Sequence, residues 1–153
     1  MKRIISILVT AVMIFTLAFQ CSFAAQVTAE EVYSSTGKTI YENTAKSPAY
    51  GSEWHILGLA RSEYAGCDEM FEKYYEDVVK TLKDSKGVLS NNKYTEYSRV
   101  IVAVKAIGRN PKNTGGYDMT AKLLEKEKVT RQGLNGPIWA LIALNTGGYA
   151  DST

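Results

Sequence analysis

Few side chains in this chain have the types and spacing that catalysis or metal binding requires. A catalytic zinc ion is held by a cluster of His, Cys and carboxylate ligands. Here His55 is the only histidine, and Cys67 is the only cysteine outside an N-terminal apolar segment. These two residues lack the local spacing of zinc ligands. We therefore expect no metal, no cofactor and no catalytic residue, and we lean against an enzyme.

The remaining candidates are suited to binding rather than to bond chemistry. Trp54, Tyr97 and Trp139 stand 43 and 42 residues apart. They either line a cavity for an apolar ligand or wedge neighbouring helices together as core, and their regular spacing favours the core. His55 has an unperturbed pKa near neutrality, although a satisfied core or surface histidine is more common. Arg99 either binds an anionic ligand or extends to the rim of the fold, and we favour the rim.

These residues lie on a chain whose pattern predicts helices and no strand. A capping box at Thr28 and Glu31 begins a first helix that runs to about residue 46. Apolar residues at spacings of three and four, with Gly and Pro near the ends, predict five more helices. They cover approximately residues 53–63, 71–82, 95–107, 118–127 and 137–144, and Pro137 is expected at the first position of the last helix.

The six predicted helices are of two alternating kinds. The first, third and fifth are charged with one apolar face, whereas the second, fourth and sixth are apolar nearly all round. A helix that is apolar on every side must be enclosed. The expected fold is therefore all-α, with three hairpins of an outer and an inner helix, either as a partial toroid or as an open α-solenoid.

The hairpins resemble the repeats of the α/α-toroid superfamily, which includes squalene and other terpene cyclases, prenyltransferase β subunits and complement-like thioester domains. The likeness covers about residues 28–146 and is carried by GSEW at residues 51–54 and GPIW at residues 136–139. Longer runs, GSEWHILGLAR and NGPIWALIAL, look like secreted toroid modules of Gram-positive bacteria, which are often joined to transcobalamin-like or cell-wall domains. A closed toroid has about twice as many hairpins, so we expect a fragment, or a half-toroid that pairs with another chain.

The reactive motifs of these relatives are missing from the chain. There is no Asp-rich acid motif, because Glu30-Glu31 is explained by capping and Glu76-Asp77 by a solvated helix face. GCDEM at residues 66–70 is similar to the thioester motif, but Met70 stands where a glutamine must acylate the cysteine. A tetratricopeptide unit at residues 54–58 is an alternative fold, although its repeat has about 34 residues.

The N-terminal residues are typical of a secretory signal peptide. Lys2 and Arg3 precede an apolar stretch over residues 4–19, and Ala24 is the expected end of the leader. An uncleaved membrane anchor is the alternative. Residues 25–153 then form one toroid-like domain, in which 16 basic residues balance 16 acidic ones. This balance disfavours a nucleic-acid partner, and we expect membrane contact only through the leader.

The expected function is a secreted or wall-associated, non-catalytic binding module. Its expected partner is a small apolar or cobalamin-like ligand, or another surface protein. A terpene-cyclase or prenyltransferase-like enzyme fragment is one alternative, which depends on fold resemblance alone. A structural spacer within a larger surface protein is the other.

Overall fold

The computed structural model describes residues 27–62 and 64–148, so the expected signal peptide lies outside the described residues. Within them there are six α-helices and no strand, which confirms the all-α class. The helices are α1 Ala29–Thr44, α2 Glu53–Arg61, α3 Asp68–Asp84, α4 Thr95–Ala106, α5 Lys126–Val129 and α6 Asn135–Thr146. No helix of the described part is both long and apolar enough to cross a membrane.

The chain divides into two compact units, Met1–Ser35 and Thr36–Thr153. In the first unit, the structure describes the start of α1, and the expected capping box is confirmed there. The backbone N–H of Thr28 donates to Glu31 Oε2 at 2.8 Å, and the N–H of Glu31 donates to Thr28 Oγ1 at 3.2 Å. Two donors that a helix start leaves free are thereby satisfied.

The second unit has its core around α4. Residues Val100, Ile101, Ala103 and Val104 are fully buried, and α4 lies against both α2 and α6. The enclosure of this helix follows from its composition, because it has apolar side chains on nearly every face. The outer surface of the core is covered by α3, which buries every fourth residue: Met70, Tyr74, Val78 and Leu82.

The predicted fifth helix is wrong in type and position. Residues 118–127 contain a 3₁₀ segment, Thr120–Leu124, and α5 follows as a single turn before another 3₁₀ segment, Thr130–Gln132. Asp118 Oδ1 accepts hydrogen bonds from the backbone N–H groups of Thr120 and Ala121, at 2.8 and 3.2 Å. Glu125 then leaves helical geometry with a ψ of 72°. Local turn chemistry therefore replaces a continuous helix.

The sixth helix begins earlier than predicted and is not enclosed. It starts at Asn135, so Pro137 is its third residue, still within the first turn, where no intrahelical N–H bond is lost. Its buried side consists of Gly136, Ala140 and Ala143. A Cβ added to Gly136 would lie 1.8 Å from the carbonyl oxygen of Val129. Small residues thus let α6 approach the core closely, whereas Ile138, Leu141 and Ile142 are exposed.

Candidate functional site

Two of the predicted binding residues meet in the folded chain. Trp54 is the second residue of α2, and Trp139 lies in the second turn of α6. Their ring centroids are 5.0 Å apart and the planes are inclined by 55°. Trp54 is 45% exposed, although an indole of this size is usually well covered. We call these two residues the tryptophan pair.

Tyr97, the third aromatic residue of the repeat, belongs to the core instead. It is 1% exposed, and its ring centroid lies 5.1 Å from that of Tyr94. Its hydroxyl oxygen accepts a hydrogen bond from the backbone N–H of Leu89 at 3.1 Å. Trp54 and Tyr97, 43 residues apart, therefore have different environments, one exposed and the other buried.

Arg99 is held by two carboxylates. Its Nη2 lies 3.5 Å from Glu53 Oε2 and donates a hydrogen bond to Glu96 Oε2. Glu53 is only 1% exposed, and its Oε1 accepts from the backbone N–H of Gly51 at 2.8 Å. We call Glu53, Glu96 and Arg99 the carboxylate–arginine cluster. The cluster joins α2 to α4. Its two carboxylates pair with the guanidinium that was expected to reach the rim of the fold or to bind an anionic ligand.

Two tyrosines complete this cluster. Tyr50 donates its hydroxyl to Glu96 Oε2 at 2.9 Å, and the hydroxyl of Tyr74 lies 3.5 Å from Glu53 Oε1. Burial, together with the neighbouring carboxylate, raises the pKa of both phenols above the ordinary value. Both hydroxyls therefore stay protonated and act as hydrogen-bond donors to carboxylates.

Three buried polar atoms in or next to the cluster have no hydrogen-bond partner in the described part of the chain. They are Glu53 Oε2, whose neighbour Arg99 is an ion-pair partner, Arg99 Nε and Ser98 Oγ on the adjacent position of α4. Sequence reasoning singled out Arg99 but missed Glu53, Glu96, Tyr50 and Tyr74. One signal was available in the sequence: a glutamate stands directly before Trp54 and before Tyr97, whereas Ile138 stands before Trp139.

His55 and Cys67 lie in different environments, the first exposed and the second buried. His55 is exposed on α2, and its Nδ1 lies 3.1 Å from the hydroxyl oxygen of Thr44. Cys67 is a free cysteine, and its side chain is buried. Burial, and then the charge of Asp68, raises the pKa of this thiol. Among the described residues, no group of three or more His, Cys, Asp or Glu side chains could hold a metal ion.

A second exposed feature lies on α6 and on Leu134, the residue just before it. Leu134, Ile138, Leu141 and Ile142 are 82%, 53%, 66% and 44% exposed, respectively. They form one face of the helix, opposite the small residues that contact the core. Within the described residues, the tryptophan pair and the outward face of α6 both present apolar side chains to solvent, and large exposed apolar patches mark interaction sites or ligand-binding grooves.

Comparisons with protein-family models, with curated proteins and with solved structures find no significant match to this chain.

Proposed function

We propose that this chain is a secreted or cell-surface, non-catalytic binding module of α/α-toroid type, and that the tryptophan pair is its recognition surface. The proposal is carried by one observation: two indoles from different repeats lie in ring contact, and one of them remains 45% exposed. The lateral contact of α4 with α2 and α6 supports an inner layer of helices, as the toroid requires.

The chemistry of the pair favours a ligand with a flat or apolar ring. Indole offers a broad apolar face and a single N–H donor, and covering such a face contributes strongly to binding. Because Trp54 and Trp139 come from α2 and α6, the surface exists only when the repeats are folded together. A small apolar or cobalamin-like molecule, or an apolar side chain of another surface protein, has the matching chemistry.

The carboxylate–arginine cluster supports a structural role rather than a catalytic one. A general acid or base needs a free carboxyl group within reach of a substrate. Here Arg99 lies between Glu53 and Glu96, and both carboxylates also accept hydrogen bonds from tyrosine or backbone groups. The enzyme alternative therefore depends on fold analogy alone.

Intrinsic fluorescence tests the proposal directly, because Trp54 and Trp139 are the two tryptophans of the whole chain. Titration with cyanocobalamin, peptidoglycan fragments and a farnesyl alcohol should give saturable quenching or a blue shift with at least one probe. Trp54→Ala should weaken that binding by at least about tenfold, with little change in melting temperature. Leu124→Ala, which removes another exposed apolar side chain, is the matched control.

Two results would count against the binding module. If no probe produces a saturable change in fluorescence or melting temperature, the spacer alternative is favoured. If the purified protein turns over a prenyl diphosphate, with or without added zinc, the non-catalytic assignment is wrong.

A further inference from the structure

The outward face of α6 carries large apolar side chains, which an ordinary surface helix directs to the core. A surface helix normally turns its large apolar side chains to the core. The buried residues of α6 are Gly136, Ala140 and Ala143, and Leu144 is partly buried against the core. Ile138, Leu141 and Ile142 of α6 are exposed, as is Leu134 just before the helix. This arrangement is expected when the outward face is itself covered by another helix.

The spacing of the exposed residues indicates what kind of helix covers them. Leu134, Ile138, Leu141 and Asn145 follow one another at intervals of four, three and four, so they occupy alternating d and a positions of a heptad. Isoleucine at a and leucine at d favour parallel two-stranded coiled coils. A single asparagine at an a position specifies register and a dimeric state. All four residues are exposed, and we call them the α6 seam.

Charge and size agree with self-pairing of this helix. No residue of α6 is charged, so two copies related by a two-fold axis bring no like charges together along the helix. The four exposed aliphatic side chains of this face present on the order of 400 Å² per copy, which is the size of a weak or transient interface. Trp139 occupies a b position, off the seam, so the tryptophan pair stays accessible.

We infer that two copies of this chain associate through the α6 seam, with the two α6 helices parallel about a two-fold axis. Leu134, Ile138 and Leu141 of one copy pack against the same residues of the other. Asn145 pairs with Asn145 of the second copy by a side-chain hydrogen bond, which disfavours other registers and larger assemblies. This association is independent of ligand binding at the tryptophan pair.

Sedimentation velocity over a range from micromolar to sub-millimolar concentrations tests the association. We expect a reversible monomer–dimer equilibrium. Leu141→Glu should weaken it by at least about tenfold, because it buries two unpaired carboxylates in the interface. Leu124→Glu, at another exposed leucine, should leave it unchanged. Melting curves of both variants check that they fold. A monomer at every concentration, a trimer or larger species, or a dimer that survives Leu141→Glu overturns the inference.

The parallel orientation has its own test. Leu134→Cys places a thiol at one end of the seam, and a disulfide requires Cα atoms within about 7 Å. Parallel helices bring the two cysteines together, whereas antiparallel helices separate them by about 18 Å, the length of a 12-residue helix. Mild oxidation should give a covalent dimer, with the wild type and its buried Cys67 as control. If the variant associates but does not cross-link, the parallel arrangement is wrong.

Discussion

Arg99 is a residue that links α2 to α4. Its guanidinium holds Glu53 of α2 and Glu96 of α4, and Glu53 is almost fully buried. A buried carboxylate is tolerated when a cation and hydrogen-bond donors compensate for its lost hydration. The ion pair between positions 53 and 99 therefore requires the tertiary contact of two helices, which no local sequence pattern encodes.

We predict that Arg99→Met destabilises the fold by about 3 kcal/mol, because it leaves the Glu53 carboxylate buried without its cation. Urea denaturation followed by circular dichroism measures the loss. The double variant Arg99→Met with Glu53→Leu should recover part of it, since the unpaired charge is then gone. If the loss of stability in the double variant equals the sum of the losses in the two single variants, the residues do not act as a pair.

Glu125 carries the clearest pH dependence among the described residues. Its carboxylate accepts hydrogen bonds from Lys128 Nζ at 2.5 Å and from the Tyr94 hydroxyl at 3.1 Å. Lys122 Nζ lies 3.3 Å from the same carboxylate. The Lys128 hydrogen bond is the main cause that lowers the pKa of Glu125 from 4.5 to about 2. A lowered pKa in the folded state contributes stability above the unfolded pKa, and this contribution is lost as pH falls towards 2.

We predict that Glu125→Gln lowers the free energy of unfolding by about 0.5 to 1 kcal/mol at neutral pH, as expected for partly exposed ion pairs. The difference from the wild type should be complete above pH 4.5 and should shrink as the pH falls towards about 2. Urea titrations at a series of pH values measure it. Glu127→Gln, at an exposed glutamate two residues further along, in α5, is the control, and a pH-independent difference would contradict the assignment.

At the scale of elements, the fourth helix was predictable and the orientation of the sixth was not. Residues 95–107 were expected to be helical and enclosed, and α4 covers Thr95–Ala106 with a buried apolar face on nearly every side. An all-round apolar pattern does not say which side of a helix meets the core. In α6 the small residues decide this, because Gly136 permits a backbone approach that a leucine forbids.

The close approach of α6 can be tested with two glycine variants. Gly136→Ala places a Cβ 1.8 Å from the Val129 carbonyl oxygen, so we predict a loss of about 1 to 3 kcal/mol or more. Gly58→Ala, in α2, meets no atom within 4 Å and should stabilise the protein by about 0.4 to 1 kcal/mol. Thermal unfolding of both variants gives the comparison. A neutral Gly136→Ala would mean that α6 does not lie this close to residue 129.

At the scale of the whole molecule, the aromatic repeat predicted more about architecture than about environment. The 43- and 42-residue spacing placed Trp54, Tyr97 and Trp139 at equivalent points of helices that do contact one another. It could not predict that Tyr97 is buried while Trp54 remains exposed. Burial depends on which side of each helix meets the core, and the spacing of the three aromatic residues along the chain does not carry that information.

The buried thiol of Cys67 has a consequence for the reaction of the folded protein with thiol reagents. The side chain is 3% exposed and its pKa is raised, so little thiolate reaches solvent while the fold is closed. Disulfide exchange at this position then has to wait for an opening of the structure around the start of α3. The rate at which a thiol reagent labels Cys67 therefore measures how often the native structure opens locally around this residue. The measurement needs no engineered cysteine.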